Sequence, residues 1–458
     1  MGDRMRLRLA GVNHEPGAWP RLPSAAVRPD TSGPRMEIEL ITIGTELLLG
    51  QVLDTHQQWL GQRLAERGHL LSRQLTVPDS GPAICGAVQA ALGRAGLVIT
   101  TGGLGPTADD LTRGLLADLL ARPLSHDESV VSQIETFFER RNRPMPESVL
   151  VQAQVPEGAM VFSNRHGTAP GLAIEVSPNP FRVGGEPAWL IMLPGPPREL
   201  RPMVDEQVMP FIKEHLPPEQ EFHYRILRSL GIGESMVEEK LLGPLKPLMD
   251  RGLDLGFCAR TGQVDIRLSG SGPEMPAIIA EAEDAIRGVI DKQIYGTDGE
   301  TIGQVVVGQL IATGETLAVA ESCTGGFLGH HITNVSGASA IFAGGMLAYS
   351  NAMKQKLLGV NESTLAQHGA VSKPVALEMV DGALAVSGAD HALSVTGIAG
   401  PGGGTPEKPV GTVWLGVASR GSRPLAIRKF HPYDRETFKH ATVHQALELL
   451  RRRLQKIG

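Results

Sequence analysis

The chain holds three cysteines, Cys85, Cys258 and Cys323, and no two of them form a C-x-x-C pair. That scarcity excludes a disulfide framework and a cysteine zinc centre, and it leads us to expect a reducing, cytoplasmic compartment. No run of about 18 apolar residues occurs, so no transmembrane helix is expected. An excess of one charge is missing too: 43 basic against 49 acidic residues leave a net charge of -6, which points to neither nucleic acid nor an anionic membrane. Aromatics make up only 4% of the chain, whereas glycine (55) and proline (33) are plentiful, the composition of many tight loops between α/β elements. A hydrophobic share of 41% and a length of 458 residues give room for two to four domains, each with its own core. Residues 1–35, rich in Arg, Pro and Gly, lack the apolar core of a secretory signal and read as a disordered extension, with Met36 as an alternative start to Met1.

From Met36 the pattern is a strand over 38–43, an amphipathic helix over about 55–67, a helix over 83–95, an apolar strand over 96–100, and a helix from Asp110. Further strands are expected over 171–176 and 188–193. Strands alternating with helices predict a parallel, doubly wound sheet whose ligands bind at the strand C-termini. Residues 216–221 read as a linker, and 222–296 as a small α+β unit. Its Gly231-Ile232-Gly233-Glu234 turn carries little basic charge, so a spacer is expected there rather than a nucleic-acid reader. Residues 300–458 form a second α/β domain, with a helix over 302–313, strands near 316–320, 394–400 and 411–418, and a closing helix from Arg435.

Two loop sets carry chemistry. In the first domain, T-T-G-G-L-G-P-T-A-D-D-L-T (100–112) combines Gly102, Gly103 and Gly105, which allow close approach, with Thr107 and the pair Asp109 and Asp110. It reads as a phosphate or nucleotide loop, yet it has neither the Lys of a Walker loop nor the G-x-G-x-x-G spacing. Asp109 and Asp110 suit a hard divalent cation, or else supply negative charge to a helix start. Gly44-Thr45-Glu46, the 167–171 loop starting at Gly167, and Pro194-Gly195-Pro196-Pro197 fall on the same expected sheet edge. In the last domain, A-E-S-C-T-G-G (320–326) places Ser322, Cys323 and Thr324 on one strand-to-helix turn, as three rival nucleophiles or as a plain helix cap. His330, His331 and His368 would serve a triad but are better explained as surface helix and turn residues. Lys354 follows a strand end by one helical turn, as a base or as a solvated lysine like Lys356.

These segments are specific enough to carry a resemblance. I-T-I-G-T-E-L-L-L-G-Q, T-T-G-G-L-G-P-T-x-D-D-L-T, G-T-A-P-G and L-P-G-P-P-R-E-L look like the molybdopterin-binding-like domain of the CinA family. A-E-S-C-T-G-G, Y-S-N-x-x-K, Q-H-G-A-V-S, T-G-I-A-G-P-x-G-G and K-P-V-G-T-V-W look like that family's C-terminal amidase domain. The resemblance spans 36–458 and implies two doubly wound α/β domains (36–215 and 300–458) joined by a KH-like α+β domain (222–296). It implies hydrolysis of nicotinamide mononucleotide to nicotinic acid mononucleotide and ammonia at the C-terminal site, without a cofactor. It also implies ADP-ribose pyrophosphatase activity with a divalent metal (Mg²⁺, Mn²⁺ or Co²⁺) at the N-terminal site, and a homodimer. On it, Ser322 is the nucleophile and Lys354 its base, while Thr324 bonds substrate or Lys354. Gly325 and Gly326 N–H groups stabilise an oxyanion or phosphate, and Tyr349 orients Lys354, stacks on nicotinamide or packs in the core. Glu321 is a helix-entry charge or steers the pyridinium. Thr396, Gly397 and Gly400 grip ribose or phosphate, Gly402 to Gly404 cover the pocket, and Arg435 pairs with the 5′-phosphate or a surface carboxylate. His56 stands where relatives commonly carry Asn. The alternative is a non-catalytic nucleotide- or pterin-binding protein of competence or DNA damage, with direct nucleic-acid binding and a membrane role not expected.

Overall fold

The computed structural model describes residues 36–218 and 220–457. The expected disorder of 1–35 lies outside the described residues. Among them no helix is long and apolar enough to cross a membrane.

The N-terminal sheet has six strands in the order Arg73–Val77, Ile38–Ile43, Leu97–Thr101, Ala188–Leu193, Gly171–Val176, Met160–Phe162. Strand side chains alternate between faces, so Ile38, Leu40, Leu97 and Ile99 join one core with Leu60 and Leu64 of the helix His56–Ala65. Ile41, Ile43 and Val98 join another with Ile84 and Val88 of the helix Gly81–Leu92. Burial on both faces is why these strands read as continuous apolar runs. The sheet is mixed, not wholly parallel: Ala188–Leu193 pairs antiparallel with Gly171–Val176, which pairs antiparallel with Met160–Phe162. No crossover helix separates those strands, and without one a parallel return is not available. Thr42 lies opposite Thr101, Thr101 opposite Leu193, and Leu172 opposite Met192, so the loops at 44, 102, 163–170 and 194 all emerge at one edge.

The middle unit is a four-stranded antiparallel sheet in the order Asp254–Arg260, Gln263–Ser271, Phe222–Leu230, Ile294–Thr297. The helices Glu234–Asp250 and Met275–Ile290 pack on it through Val237, Leu241, Ile279 and Ile286. The C-terminal sheet runs Phe342–Leu347, Leu317–Glu321, His391–Gly397, Thr412–Ser419, Leu425–Phe430. Its first three strands are parallel and its last two are added antiparallel. Glu321 lies opposite both Leu347 and Val395, which brings three strand C-termini to one edge. One face is covered by the helices Ile302–Thr313 and Arg435–Leu454, the other by Lys373–Ser387.

Candidate active sites

The strand Leu317–Glu321 runs straight into Ser322, whose N–H continues the ladder by donating to the Val395 carbonyl at 3.0 Å. Gly325 (φ 61°) and Gly326 (φ 99°) then turn the chain into the helix Phe327–Thr333, a left-handed pair that a Cβ would strain. Just past the end of the neighbouring strand Phe342–Leu347, Ser350 caps the helix Asn351–Leu358 by accepting from Met353 N–H at 3.2 Å. One turn in, Lys354 reaches back to the sheet edge. Its Nζ donates to Ser322 Oγ (2.9 Å), Ala348 O (2.8 Å) and Tyr349 O (3.2 Å). Lys354 is 1% exposed, and burial lowers its pKa from the ordinary lysine value. A buried amine tied to a serine hydroxyl is the arrangement a nucleophile and base require.

Cys323, equally near, is buried, and burial pushes its thiol up to about 12, so it carries no thiolate at neutral pH. Among the described residues no histidine bonds Ser322. His331 Nδ1 meets Phe327 O (3.0 Å), His330 Nε2 meets Asn334 (2.9 Å), and the His368 carbonyl accepts from Lys408 Nζ (2.6 Å). Thr324 Oγ1 is buried without a hydrogen-bond partner among the described residues, so it does not bond Lys354.

Several expectations around this pair need correction. Glu321 is buried and its carboxylate accepts from Gly326 N–H (3.0 Å), Leu328 N–H (3.1 Å) and Gly329 N–H (2.8 Å), so it is the helix-entry charge and not a group facing substrate. Gly326 N–H is thereby used up, and Gly325 N–H donates to Ser322 O at 3.1 Å, so neither is free to hold an oxyanion. The N–H of Thr324 has no such partner among the described residues. Thr396 is buried with its hydroxyl on Ala370 O at 2.8 Å, a structural bond. At Gly397 a Cβ would meet Thr412 O at 2.9 Å, so that glycine serves strand packing. Tyr349 is 62% exposed rather than packed in the core; its phenol accepts from Arg435 at 3.2 Å, and only its carbonyl touches Lys354. Arg435 makes no salt bridge among the described residues and also donates to Gly400 O at 2.9 Å, joining the 400–410 loop to Tyr349 at the mouth of the site. That loop, with Gly402 to Gly404, is fastened by Lys408 to His368, a tether the sequence did not suggest.

At the N-terminal edge, Glu46, Gly102, Gly103, Gly105, Asp109, Asp110 and Gly195 line one cleft of about 530 Å³. Thr168 of the expected 167–171 loop lines it as well, together with Asp79, Gln152 and Glu199, which sequence reasoning missed. Only their meeting at one edge singles those three out; the loops at 44–46, 102–110, 167–171 and 194–197 were visible in advance. Thr45 does not line it: its N–H and hydroxyl both bond Asp79, at 2.8 and 3.0 Å. Gly167 sits behind the lining, where a Cβ would collide with the Glu199 carboxylate. His56 contacts Thr101 Oγ1 at 3.1 Å beneath the loops and does not line the cleft. Thr107 Oγ1 lies 2.5 Å from both Asp109 Oδ1 and Asp110 Oδ2, although its single proton can satisfy only one of them. Such oxygen crowding fits a hard divalent ion. Among the described residues no three His, Cys, Asp or Glu side chains form a ready metal centre, so ligand oxygens or water would have to complete the shell.

Three family profiles cover this architecture: "Probable molybdopterin binding domain" over 39–214, "Damage-inducible protein CinA KH domain" over 224–296 and "CinA C-terminal domain" over 299–454. A CinA-like protein of Akkermansia muciniphila is 43% identical over 413 residues, 90% of this chain and 96% of that protein. This chain belongs to the CinA family. A putative competence-damage inducible protein of Caldicellulosiruptor saccharolyticus is 42% identical over 420 residues, 91% of this chain and 99% of that protein. Among solved structures, the competence/damage inducible protein CihA from Agrobacterium tumefaciens is 41% identical, covering 32% of this chain and 91% of its own, with a TM-score of 0.32. CinA family membership therefore extends through both α/β domains and the KH-like unit between them.

Proposed function

We propose that the C-terminal site hydrolyses the carboxamide of nicotinamide mononucleotide to nicotinic acid mononucleotide and ammonia. The observation that carries this reading is the 2.9 Å bond from buried Lys354 Nζ to Ser322 Oγ; the choice of substrate rests on the motifs around Ser322 and Lys354. In its neutral form Lys354 accepts the proton of Ser322 as Oγ attacks the amide carbon. Thr324 N–H and hydroxyl, which have no hydrogen-bond partner among the described residues, would serve the developing oxyanion or the amide. Collapse expels ammonia, with Lys354 returning the proton to the leaving nitrogen. Lys354 then takes a proton from water as hydroxide adds to the acyl carbon, returns it to Ser322 Oγ as that oxygen leaves, and the product acid ionises and departs as the carboxylate. Arg435, which has no carboxylate partner among the described residues, would meet the 5′-phosphate as a charged donor. Ammonia release from nicotinamide mononucleotide should vanish in Ser322→Ala and persist in Cys323→Ala. The reverse pattern overturns the nucleophile.

A second reading concerns the N-terminal cleft, and the crowded Thr107 hydroxyl favours it: metal-dependent cleavage of a pyrophosphate such as that of ADP-ribose. Five carboxylates line the cleft and no Lys or Arg does, so an anionic substrate needs cations to enter. Asp109 and Asp110 would hold the ion, which supplies charge neutralisation for the phosphates. EDTA should stop this reaction and spare the amidase.

A further inference from the structure

One lining residue of the N-terminal cleft has a job that neither metal binding nor phosphate binding explains. Gln152 sits on the 3-10 segment Glu147–Ala153 and is 1% exposed. Its Nε2 donates to the Leu104 carbonyl at 3.3 Å, and Oε1 has no hydrogen-bond partner. The orientation of the amide is fixed chemically, because only the NH₂ end can meet a carbonyl. Arg113, also buried, donates to the same Leu104 carbonyl at 3.3 Å, so that carbonyl is held from two sides and anchors the glycine loop. What is left is a neutral, desolvated acceptor on a residue that borders a cleft whose charged lining groups are all carboxylates. A buried acceptor without a donor is costly and persists where a ligand completes it. The five carboxylates are better cation ligands than a neutral amide, which leaves Oε1 for an uncharged N–H donor.

We infer that Gln152 is a specificity residue: its Oε1 accepts a hydrogen bond from an N–H of the ligand's heterocycle, so the cleft takes a phosphorylated compound whose base carries an N–H donor, such as the exocyclic amine of adenine. This rests on the reading of the cleft as a nucleotide site. Discrimination by a buried polar group left unpaired runs to about ten- to hundredfold per hydrogen bond.

The test uses the full chain, Mn²⁺ and two uncleavable probes, the α,β-methylene analogues of ADP-ribose and of its unsubstituted-purine counterpart, which carries hydrogen in place of the amine and has no N–H donor on the base. Calorimetry measures each affinity in the parent, Gln152→Met and Gln152→Glu, after thermal melting confirms folding. The parent should favour the adenine probe by about tenfold or more. Gln152→Met should bring the two within about threefold, while Gln152→Glu, which keeps an acceptor, retains the preference; Arg113 still holds Leu104 in both variants. Mn²⁺ affinity without nucleotide should stay unchanged. An adenine preference that survives Gln152→Met overturns the assignment alone, as does a tenfold loss of Mn²⁺ affinity in that variant with the preference intact, which would make Gln152 a metal ligand. Failure of the parent to bind either probe overturns the nucleotide reading of the cleft, and the assignment with it.

Discussion

Replacing Lys354 by methionine keeps a long unbranched side chain and removes only the amine. Three hydrogen bonds go with it, to Ser322 Oγ and to the Ala348 and Tyr349 carbonyls. The base is lost outright, and since a nucleophile and its base act as a unit, ammonia release should fall about a thousandfold or more, about 4 kcal/mol of transition-state stabilisation. Stability responds differently. Leaving a buried carbonyl such as that of Ala348 unsatisfied costs about 1–3 kcal/mol. Against this, the buried amine resists protonation in the fold: its pKa is lowered, so the unfolded chain binds the proton more tightly. Lys354 therefore contributes stability above the ordinary lysine value that is lost as pH falls towards the lowered one, and at neutral pH its removal relieves part of that penalty. The two effects oppose, and the melting temperature should move by only a few degrees at about 2–4 °C per kcal/mol. Coupled measurement of ammonia from nicotinamide mononucleotide, beside thermal melting, separates them. A folded Lys354→Met protein within tenfold of the parent rate would refute Lys354 as the base.

In the parent, the neutral fraction of Lys354 grows with pH, so the rate should climb through an acid limb centred below the ordinary lysine value; a flat profile from pH 6 to 9 contradicts a lysine base. Glu321→Gln should lower melting stability by about 1–3 kcal/mol and slow ammonia release, because three N–H groups, that of Leu328 buried and those of Gly326 and Gly329 half-buried, lose their carboxylate beside Ser322; an unchanged melting curve would show the cap to be dispensable. Gly103→Ala forces a Cβ to within 2.1 Å of Thr112 Oγ1 at φ +67° and should cost about 2 kcal/mol or more, read from denaturant midpoints. Asp109→Asn should weaken Mn²⁺ binding by calorimetry at least tenfold, and equal affinity would remove Asp109 from the metal site.

The alternation of strands and helices was legible because apolar periodicity is local: Ile38–Ile43, Ile302–Thr313 and the helix starting at Arg435 fall where their patterns put them. The antiparallel additions to both sheets were not, since pairing direction depends on what the intervening loops pack against. Motif loops drew attention to Ser322, Lys354 and the 102–110 glycines. Those loops could not reveal which of their N–H groups were already spent, nor that Tyr349 would stand at the mouth with Arg435.

By itself the sequence determined which loops end strands, which residues on them can do chemistry, and the family to which they belong, because turn glycines and hydroxyl or carboxylate runs are written in adjacent positions. Only the tertiary structure decided what those groups do. Lys354 and Ser322 are 32 residues apart in the chain and 2.9 Å apart in space. Glu321 turned from candidate substrate contact to helix cap, and Gln152, in a stretch with no motif glycine, entered the N-terminal cleft. Hydrogen-bond satisfaction is a property of the closed fold: a donor is free for substrate only when no neighbour brought in from elsewhere in the chain has taken it.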